Sequence, residues 1–237
     1  MLQRVSFRAA ATEVEGILHL PEGAAVGGIA VLADADRGGS AMAGVAVPED
    51  ADGGDEVGTA PPSAAHVVVA SCEALAAGGV AALRFAFRQD ALGHVRSSDA
   101  LADAAGAMRL LKSHPALPGA VGVAGFGFGG AIAAVAAGRD SRVRCAVLAG
   151  APATIEGDPD WRPMAEASRT RARVLLLRGS RDTRVTADEV ERYASVLSAA
   201  RVTRRVVTIE GADHHFAPAG PRARALEAIV AWARESL

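Results

Sequence analysis

Segments typical of strands alternate with segments typical of helices along almost the whole of this 237-residue chain. Several strand-like segments are unbroken runs of Val, Leu, Ile and Ala, which is typical of strands covered on both faces. A strand, a helix and a second strand in turn imply a right-handed crossover between parallel strands. The pattern therefore predicts an α/β fold: one domain, 1–237, built on a doubly wound, mostly parallel sheet of about eight strands.

The predicted elements follow from these patterns. The strands are predicted at Arg4–Arg8, Val14–Leu20, Gly28–Ala33, Val80–Phe87, Ala120–Ala124, Val143–Leu148, Arg173–Leu177 and Arg205–Ile209, and the helices at Ala65–Ala77, Ser98–Ser113, Gly130–Gly138, Ala187–Ala200 and Arg222–Ser236. No helix separates the first two strands, so we expect them to form an antiparallel edge. Residues 42–64 are acidic and rich in Gly, Ala and Pro, and they are predicted to be a surface loop insertion, unusually long for a compact domain.

The charge balance argues against two classes of partner. The chain has 27 acidic residues against 25 Lys and Arg, a formal net charge of -2, with no basic stripe or acidic tail. We therefore expect a small-molecule substrate or ligand, no nucleic acid and no membrane, and the sequence leaves open whether the chain forms a homodimer. The first 20 residues contain no apolar run of signal-peptide length, which predicts a cytoplasmic protein whose two cysteines, Cys72 and Cys145, are reduced and buried.

A glycine-rich turn follows the fifth predicted strand and leads directly into a helical run. One interpretation is a dinucleotide-binding turn, because Gly125, Gly127 and Gly130 satisfy the pattern G-x-G-x-x-G. That motif requires an acidic residue at the end of the next strand to hold a ribose, and Gly150 stands there instead. We therefore rank a dinucleotide-binding oxidoreductase last among the alternatives.

The same turn fits the nucleophile elbow G-x-S-x-G, in which a strained central residue stands between a strand and a helix. Gly127 occupies the central position, so the turn is present and its hydroxyl is missing. Downstream, Asp182 and His214 each follow a buried strand, in the chain order nucleophile, acid, base. Because the carboxyl ends of neighbouring parallel strands meet at one edge of the sheet, we predict that Asp182 and His214 pair opposite Gly127.

These residues make the chain similar to the α/β-hydrolase superfamily, in particular to its small lidless bacterial members near dienelactone hydrolase and related serine esterases. The resemblance covers nearly the whole chain, including the segment 79–88, and the elbow of those proteins reads G-F-S-F-G-G. It implies that Gly127 stands at the nucleophile position, where it offers no side chain. It also implies that Asp182 is the acid of the triad and His214 its base.

The resemblance also assigns an oxyanion hole and a pocket. One hole N–H is expected from Phe128 and the other from the turn after the third strand, at Ala35 or Asp36. That turn departs from the family's usual His-Gly or His-Pro pattern, and its two acids would oppose negative charge in the hole. The further pocket residues that we predict are Arg37, Phe126, Trp161 and His215.

A glycine at the elbow leaves three hypotheses open. In the first, hydrolysis through an acyl-serine is absent or disabled. In the second, His214 held by Asp182 acts as a general base without a covalent intermediate, as in a lyase, an isomerase or a cyclase. In the third, the chain is a ligand-binding pseudoenzyme, so the sequence leaves open whether any catalysis remains. No cofactor is expected, and no metal, because the other histidines lack metal-ligand spacing: His19, His66, His94 and His114.

Overall fold

The structure is a computed structural model that describes residues 1–35 and 64–237. Its elements are β1 (Leu2–Ala9), β2 (Thr12–His19), β3 (Gly28–Leu32), α1 (Ala64–Ala77), β4 (Ala81–Phe85), α2 (Ser97–Ser113), β5 (Val121–Phe126), α3 (Phe128–Arg139), β6 (Val143–Ala149), α4 (Pro163–Ala167), β7 (Arg173–Gly179), α5 (Ala187–Ala199), β8 (Arg204–Ile209) and α6 (Ala219–Ser236).

The strands form one eight-stranded sheet in the order β1-β2-β4-β3-β5-β6-β7-β8. β2 runs antiparallel to both of its neighbours, and every pairing from β4 across to β8 is parallel. The predicted mostly parallel sheet of about eight strands is therefore confirmed, as is the antiparallel edge. The strand order reverses around β3 and β4, so the carboxyl ends of β3 and β5 lie side by side at the position where open α/β sheets usually bind ligands.

Helices cover both faces of the sheet and enclose two hydrophobic cores. One core lies under α2, α3 and α5 and includes Leu83 and Leu148; the other lies under α1 and α6 and includes Val147 and Trp232. Each large apolar side chain buried in this way contributes about 1.5–3 kcal/mol to folding. Burial on both faces explains why the central strands are continuous apolar runs in the sequence, since β3 is buried at every position.

The structure differs from the predicted elements mainly near glycine and proline. α3 begins at Phe128 rather than Gly130, because the fold uses Gly129 for a close approach to the end of β3: a Cβ on Gly129 would lie 2.4 Å from the Ala33 carbonyl oxygen. α4 was not predicted, since five residues beginning at a proline show no helical periodicity. The predicted insertion, 42–64, lies outside the described residues except for its last position, which already belongs to α1.

Both cysteines are free and fully buried, as predicted. Burial raises the pKa of the Cys72 thiol and raises that of Cys145 to about 12, so neither sulfur offers a thiolate nucleophile at neutral pH. Within the described ranges, no helix has both the length and the apolar character needed to cross a bilayer.

Candidate active site

Gly127 forms a sharp turn between β5 and α3. Its backbone has φ +53° and ψ −121°, a conformation that residues with a side chain rarely adopt. Its N–H donates to the Ala149 carbonyl at 2.9 Å, and its own carbonyl accepts from the Ala131 N–H at 3.1 Å. The turn is therefore fixed by the neighbouring strand β6 and by the first turn of α3, and α3 begins at the carboxyl edge of the sheet.

Asp182 and His214 form a buried pair at this edge. Asp182 follows β7, His214 follows β8, and Nδ1 of the imidazole lies 2.9 Å from Oδ2 of the carboxylate. Oδ1 of Asp182 accepts from the backbone N–H groups of Arg184 and Val185, each at 2.9 Å. Asp182 is 6% exposed and His214 is 9% exposed. The carboxylate is thus held rigidly, and it orients the imidazole so that Nε2 faces the turn at Gly127.

The carboxylate of Asp34 fills the space above Gly127. A Cβ placed on Gly127 would lie 2.2 Å from Oδ1 of Asp34 and 2.5 Å from its Oδ2. Oδ1 accepts from the backbone N–H of Phe128 at 2.7 Å and from that of Ala35 at 3.0 Å, while Oδ2 lies 3.4 Å from His214 Nε2. A carboxylate of the protein therefore occupies the N–H of Phe128, which the resemblance assigns to an oxyanion hole, and that of Ala35, one of its two candidates for the second donor. The same carboxylate faces the imidazole.

Asp34 follows β3, and the sheet register explains its position. β3 and β5 are parallel, and Leu32 pairs with Gly125. Two residues further along each strand, Asp34 therefore lies level with Gly127. The sequence alone gives Asp34 no role of its own. The signal for such a role is an acid at the end of one strand and a glycine at the end of another, and it has meaning only once the two strands are known to be adjacent.

The three charged groups determine one another's protonation. Burial alone would raise the pKa of Asp34 and Asp182, but hydrogen bonds from His214 and from backbone N–H groups outweigh burial and lower both pKa values. Burial alone would lower the pKa of His214, but the two carboxylates raise it to about 9. At neutral pH the site therefore contains an imidazolium between two carboxylates.

His215 extends this cluster. Its Nδ1 lies 3.7 Å from Oδ2 of Asp34, and its ring stands edge-on to that of His214 with the centroids 5.0 Å apart. Burial, followed by the charge of His214, lowers the pKa of His215, so its ring is neutral at pH 7. A guanidinium nitrogen of Arg184 lies 4.0 Å from the same Asp34 oxygen.

Asp34, His214 and His215 also form a candidate ligand set for one metal ion, since one ligand atom from each lies within 4.8 Å of the others. Two imidazoles and one carboxylate suit Zn²⁺, and Asp182 on the far nitrogen of His214 is the kind of partner that metal-binding histidines usually have. The expectation of no metal rests on local spacing along the chain, whereas Asp34 lies next to the two histidines only through the sheet.

A cavity of about 190 Å³ opens above the cluster. Its floor is formed by Asp34, Gly127, Phe128 and His214, and its remaining lining residues are Ala35, Pro152, Thr154, Ile155, Glu156, Arg184 and Val185. The residues between 152 and 156 belong to the link between β6 and α4, and all but Glu156 give this wall of the cavity neutral side chains. Arg184 contributes a positive charge elsewhere in the lining.

The structure does not bring two of the predicted pocket residues to this cavity. Phe126 is in the core under α1 and α6, where its ring meets that of Phe216 at 6.0 Å. Trp161 packs against the opposite core beneath the guanidinium of Arg139, 5.2 Å from the ring centre. β5 alternates its side chains between the two faces, which directs Phe126 away from the turn that follows it. His215, the third, contacts the cluster through Asp34 but does not line the cavity. Arg37 from the predicted pocket and Asp36 from the predicted oxyanion hole lie outside the described residues.

Comparisons with known proteins agree with this fold. The model of the dienelactone hydrolase family matches residues 69–236. No curated protein matches the chain. Among solved structures, a dienelactone hydrolase from Anabaena variabilis is similar with a TM-score of 0.73 at 21% identity, covering 100% of this chain and 98% of that one.

Two further solved structures have the same fold. The esterase domain of a Rhodothermus marinus protein has a TM-score of 0.71 at 18% identity, covering 100% of this chain and 99% of the other. A dienelactone hydrolase-like promiscuous phosphotriesterase from metagenomic libraries also has a TM-score of 0.71 at 18% identity, with 100% and 98% covered. At these identities the likeness shows the α/β-hydrolase fold.

Proposed function

The chain belongs to the dienelactone hydrolase family, and from that premise we propose that it is an altered hydrolase that works without an acyl-serine. In this proposal proton transfer by His214, held by Asp182, performs the chemistry. The observation that carries the proposal is the Asp34 carboxylate, which lies where a side chain on Gly127 would be and faces His214 Nε2 at 3.4 Å.

Two features oppose hydrolysis through an acyl-serine. Gly127 provides no hydroxyl, so the elbow position itself offers no serine oxygen to form an acyl-enzyme. The two N–H donors on Oδ1 of Asp34 already hold a negative charge, so a substrate carbonyl would have to displace a carboxylate to reach them. Loss of the serine of a triad costs on the order of 10⁶ in rate in proteases.

The His214–Asp182 pair keeps what proton transfer requires. Asp182 fixes the tautomer and orientation of the imidazole, and Nε2 faces the cavity floor. With a pKa of about 9, His214 carries a proton at neutral pH and can donate it to a leaving group. Once it has donated that proton it becomes a base for water or for a substrate C–H, and such transfers accelerate reactions by about 10²–10⁴-fold.

Reactive probes test the absence of acyl-serine chemistry. We expect the protein as it stands to remain unlabelled by a fluorophosphonate and to show no burst with p-nitrophenyl acetate. Because a Cβ on Gly127 overlaps the Asp34 carboxylate, the matched gain-of-function variant is Gly127→Ser combined with Asp34→Ala, and we expect it to show both. Labelling or a burst in the unaltered protein would overturn the proposal.

A base-catalysed elimination tests the proton transfer. We expect the unaltered protein to open 5-nitrobenzisoxazole at a rate that rises through about pH 9, where His214 loses its proton. His214→Gln should abolish this rate, and His114→Gln, at the end of α2, should leave it unchanged. A rate that is indifferent to His214→Gln would contradict the proposal.

One observation favours a second candidate, a ligand-binding protein without turnover. The Asp34 carboxylate satisfies the Phe128 and Ala35 N–H groups as a bound anion would, so the catalytic edge is already occupied. If the unaltered protein turns over none of these probes and the Gly127→Ser, Asp34→Ala protein is equally inert, this second candidate is favoured.

A further inference from the structure

We infer that Asp34 is itself the nucleophile of this site, attacking an electrophilic saturated carbon such as that of an epoxide and forming an alkyl ester that water then hydrolyses. The inference rests on the proposed proton transfer by His214 and adds to it a covalent step, a nucleophile and a substrate class. Carboxylates serve as covalent nucleophiles elsewhere in enzymology when they are positioned and kept ionised.

The two oxygens of Asp34 have different surroundings, which suits two different tasks. Oδ1 is bound by the N–H groups of Phe128 at 2.7 Å and Ala35 at 3.0 Å. Oδ2 accepts no backbone N–H in the described part of the chain and faces His214 Nε2 at 3.4 Å. The side chain is 11% exposed and forms part of the cavity floor. Oδ2 is therefore the oxygen that can reach a substrate.

In the first step an Oδ2 lone pair of Asp34 forms a C–O bond to an epoxide carbon, and the ring C–O bond breaks. The ring oxygen takes the electron pair of that bond and a proton from the His214 imidazolium. The products are a hydroxyalkyl ester of Asp34 and a neutral imidazole. No oxidant, reductant or further reactant is needed.

In the second step water attacks the Asp34 carboxyl carbon while His214 takes a proton from it. The negative charge that develops on Oδ1 is held by the Phe128 and Ala35 N–H groups, which lie at the distances that such stabilisation requires. The bond from the carboxyl carbon to Oδ2 then breaks, Oδ2 leaves in the product diol with one water proton, and the other proton returns to His214. Asp34 is again a carboxylate, and it now contains the oxygen of the water.

The charges around His214 support this order of events. The imidazole is flanked by two carboxylates, and forming the ester removes the charge of one of them, Asp34. Asp182 still orients the ring after that change. The Nε2 atom of His214 is then left beside the ester, where it can take a proton from a water that attacks the carboxyl carbon.

The geometry also favours a saturated carbon over a carbonyl carbon. Attack on a carbonyl would require N–H donors for the substrate oxygen, but those donors hold Oδ1 of the nucleophile. When the nucleophile attacks a saturated carbon, the Phe128 and Ala35 N–H groups instead bind Oδ1, the oxygen of Asp34 that becomes negative when the ester is hydrolysed. The site is thus arranged to hydrolyse an ester of Asp34 rather than an ester brought by the substrate.

Isotope labelling under single-turnover conditions tests the inference. With enzyme in excess over styrene oxide in H₂¹⁸O, we expect the diol to contain no label and the tryptic peptide 9–37, which contains Asp34, to gain 2 Da. In His214→Gln the ring oxygen must take its proton from water, so we expect the ester to form more slowly. It should then accumulate as a peptide heavier by one styrene oxide, because no base remains to hydrolyse it. Asp34→Asn should form no adduct, and the matched control Asp188→Asn, at an exposed position in the first turn of α5, should behave as the unaltered protein.

The outcomes separate this inference from the proposed function. Suppose that label enters the diol in the first turnover and that His214→Gln stops turnover without an adduct on Asp34. The assignment of Asp34 as the nucleophile is then overturned, and proton transfer by His214 stands. If His214→Gln turns over normally, the proposed function fails as well. No adduct on Asp34 in either protein, with styrene oxide and with 1-bromobutane, overturns the inference, as does activity that EDTA abolishes and Zn²⁺ restores.

Discussion

Asp34 and Gly127 are complementary residues: the absence of a side chain at one is what admits the carboxylate of the other. A Cβ at Gly127 would overlap Oδ1, Oδ2 and Cγ of Asp34, all within 2.5 Å, and the backbone has φ +53°. The two positions therefore cannot be considered separately. A serine restored at Gly127 alone would meet an occupied site, which is why the gain-of-function test needs a second substitution.

We expect Gly127→Ala to lower the free energy of unfolding by about 2–4 kcal/mol, since it adds backbone strain and an overlap with Asp34. In Asp34→Ala the overlap is gone and only the strain remains, so the same substitution should cost about 1–2 kcal/mol there. Urea unfolding of the four proteins of this double-mutant cycle measures the coupling. Additive effects would show that the two side-chain positions do not compete for space.

Asp182 is expected to control the protonation of His214. Asp182→Asn removes a buried charge 2.9 Å from Nδ1, and we expect the pKa of His214 to fall from about 9 towards its ordinary value. Titration of the imidazole by ¹⁵N NMR measures the pKa, and Asp188→Asn on the exposed face of α5 should leave it unchanged. An unaltered pKa in Asp182→Asn would mean that Asp34 alone holds the proton.

At the scale of elements, the sequence predicted what depends on local pattern. The sheet, its antiparallel edge and the helices that flank it follow from apolar runs and their spacing, and the placement of Asp182 and His214 after β7 and β8 follows from strand ends. The early start of α3 was missed because propensity disfavours glycine, while packing against Ala33 requires it. Asp34 was missed because its role depends on the register between β3 and β5, which no local pattern contains.

The segment after β4 is tied to α2 by a buried ion pair. Asp103 on α2 is fully buried, and it binds both the side chain Nε of Arg88, at 2.5 Å, and the Arg88 backbone N–H, at 3.0 Å. Removing Asp103 leaves the backbone N–H of Arg88 without its buried acceptor and the partly exposed guanidinium without its nearest partner, so we expect Asp103→Ala to cost about 1–3 kcal/mol. Asp99 on the same helix is a matched control: it also approaches Arg88, at 3.9 Å, but is 45% exposed. Asp99→Ala should cost less than about 1 kcal/mol, and equal losses in urea unfolding would contradict this distinction.

At the scale of the whole molecule, two buried histidines on different parts of the sheet titrate in opposite directions. His214 at the carboxyl edge has its pKa raised to about 9, chiefly by Asp182 and Asp34 acting against burial. His19 in β2 has its pKa lowered to about 4 by burial and by the neighbouring Arg84, whose Nε lies 3.1 Å from the imidazole Nε2. In the unfolded chain both titrate near 6.5.

These shifts predict a stability maximum near pH 6.5. Above pH 6.5 the unfolded chain releases the proton that folded His214 retains, so stability falls until about pH 9, by at most about 3 kcal/mol. Below pH 6.5 the unfolded chain binds a proton that folded His19 refuses, so stability falls towards pH 4 by a similar amount. The lowered pKa values of Asp34 and Asp182 add a further loss below their ordinary value of 3.8.

Urea unfolding of the unaltered protein, His214→Gln and His19→Asn between pH 4.5 and 9.5 separates the two limbs. His214→Gln should flatten the alkaline limb and leave an acid limb. His19→Asn should leave the alkaline limb in place and reduce the acid limb to the part that His215, whose pKa is also lowered, contributes. Because each variant is compared with itself across pH, the constant cost of the substitution does not enter the comparison. If the alkaline limb persists in His214→Gln, the folded protein does not hold an imidazolium between the two carboxylates. Both proposed activities depend on that charge arrangement, so this result would contradict them.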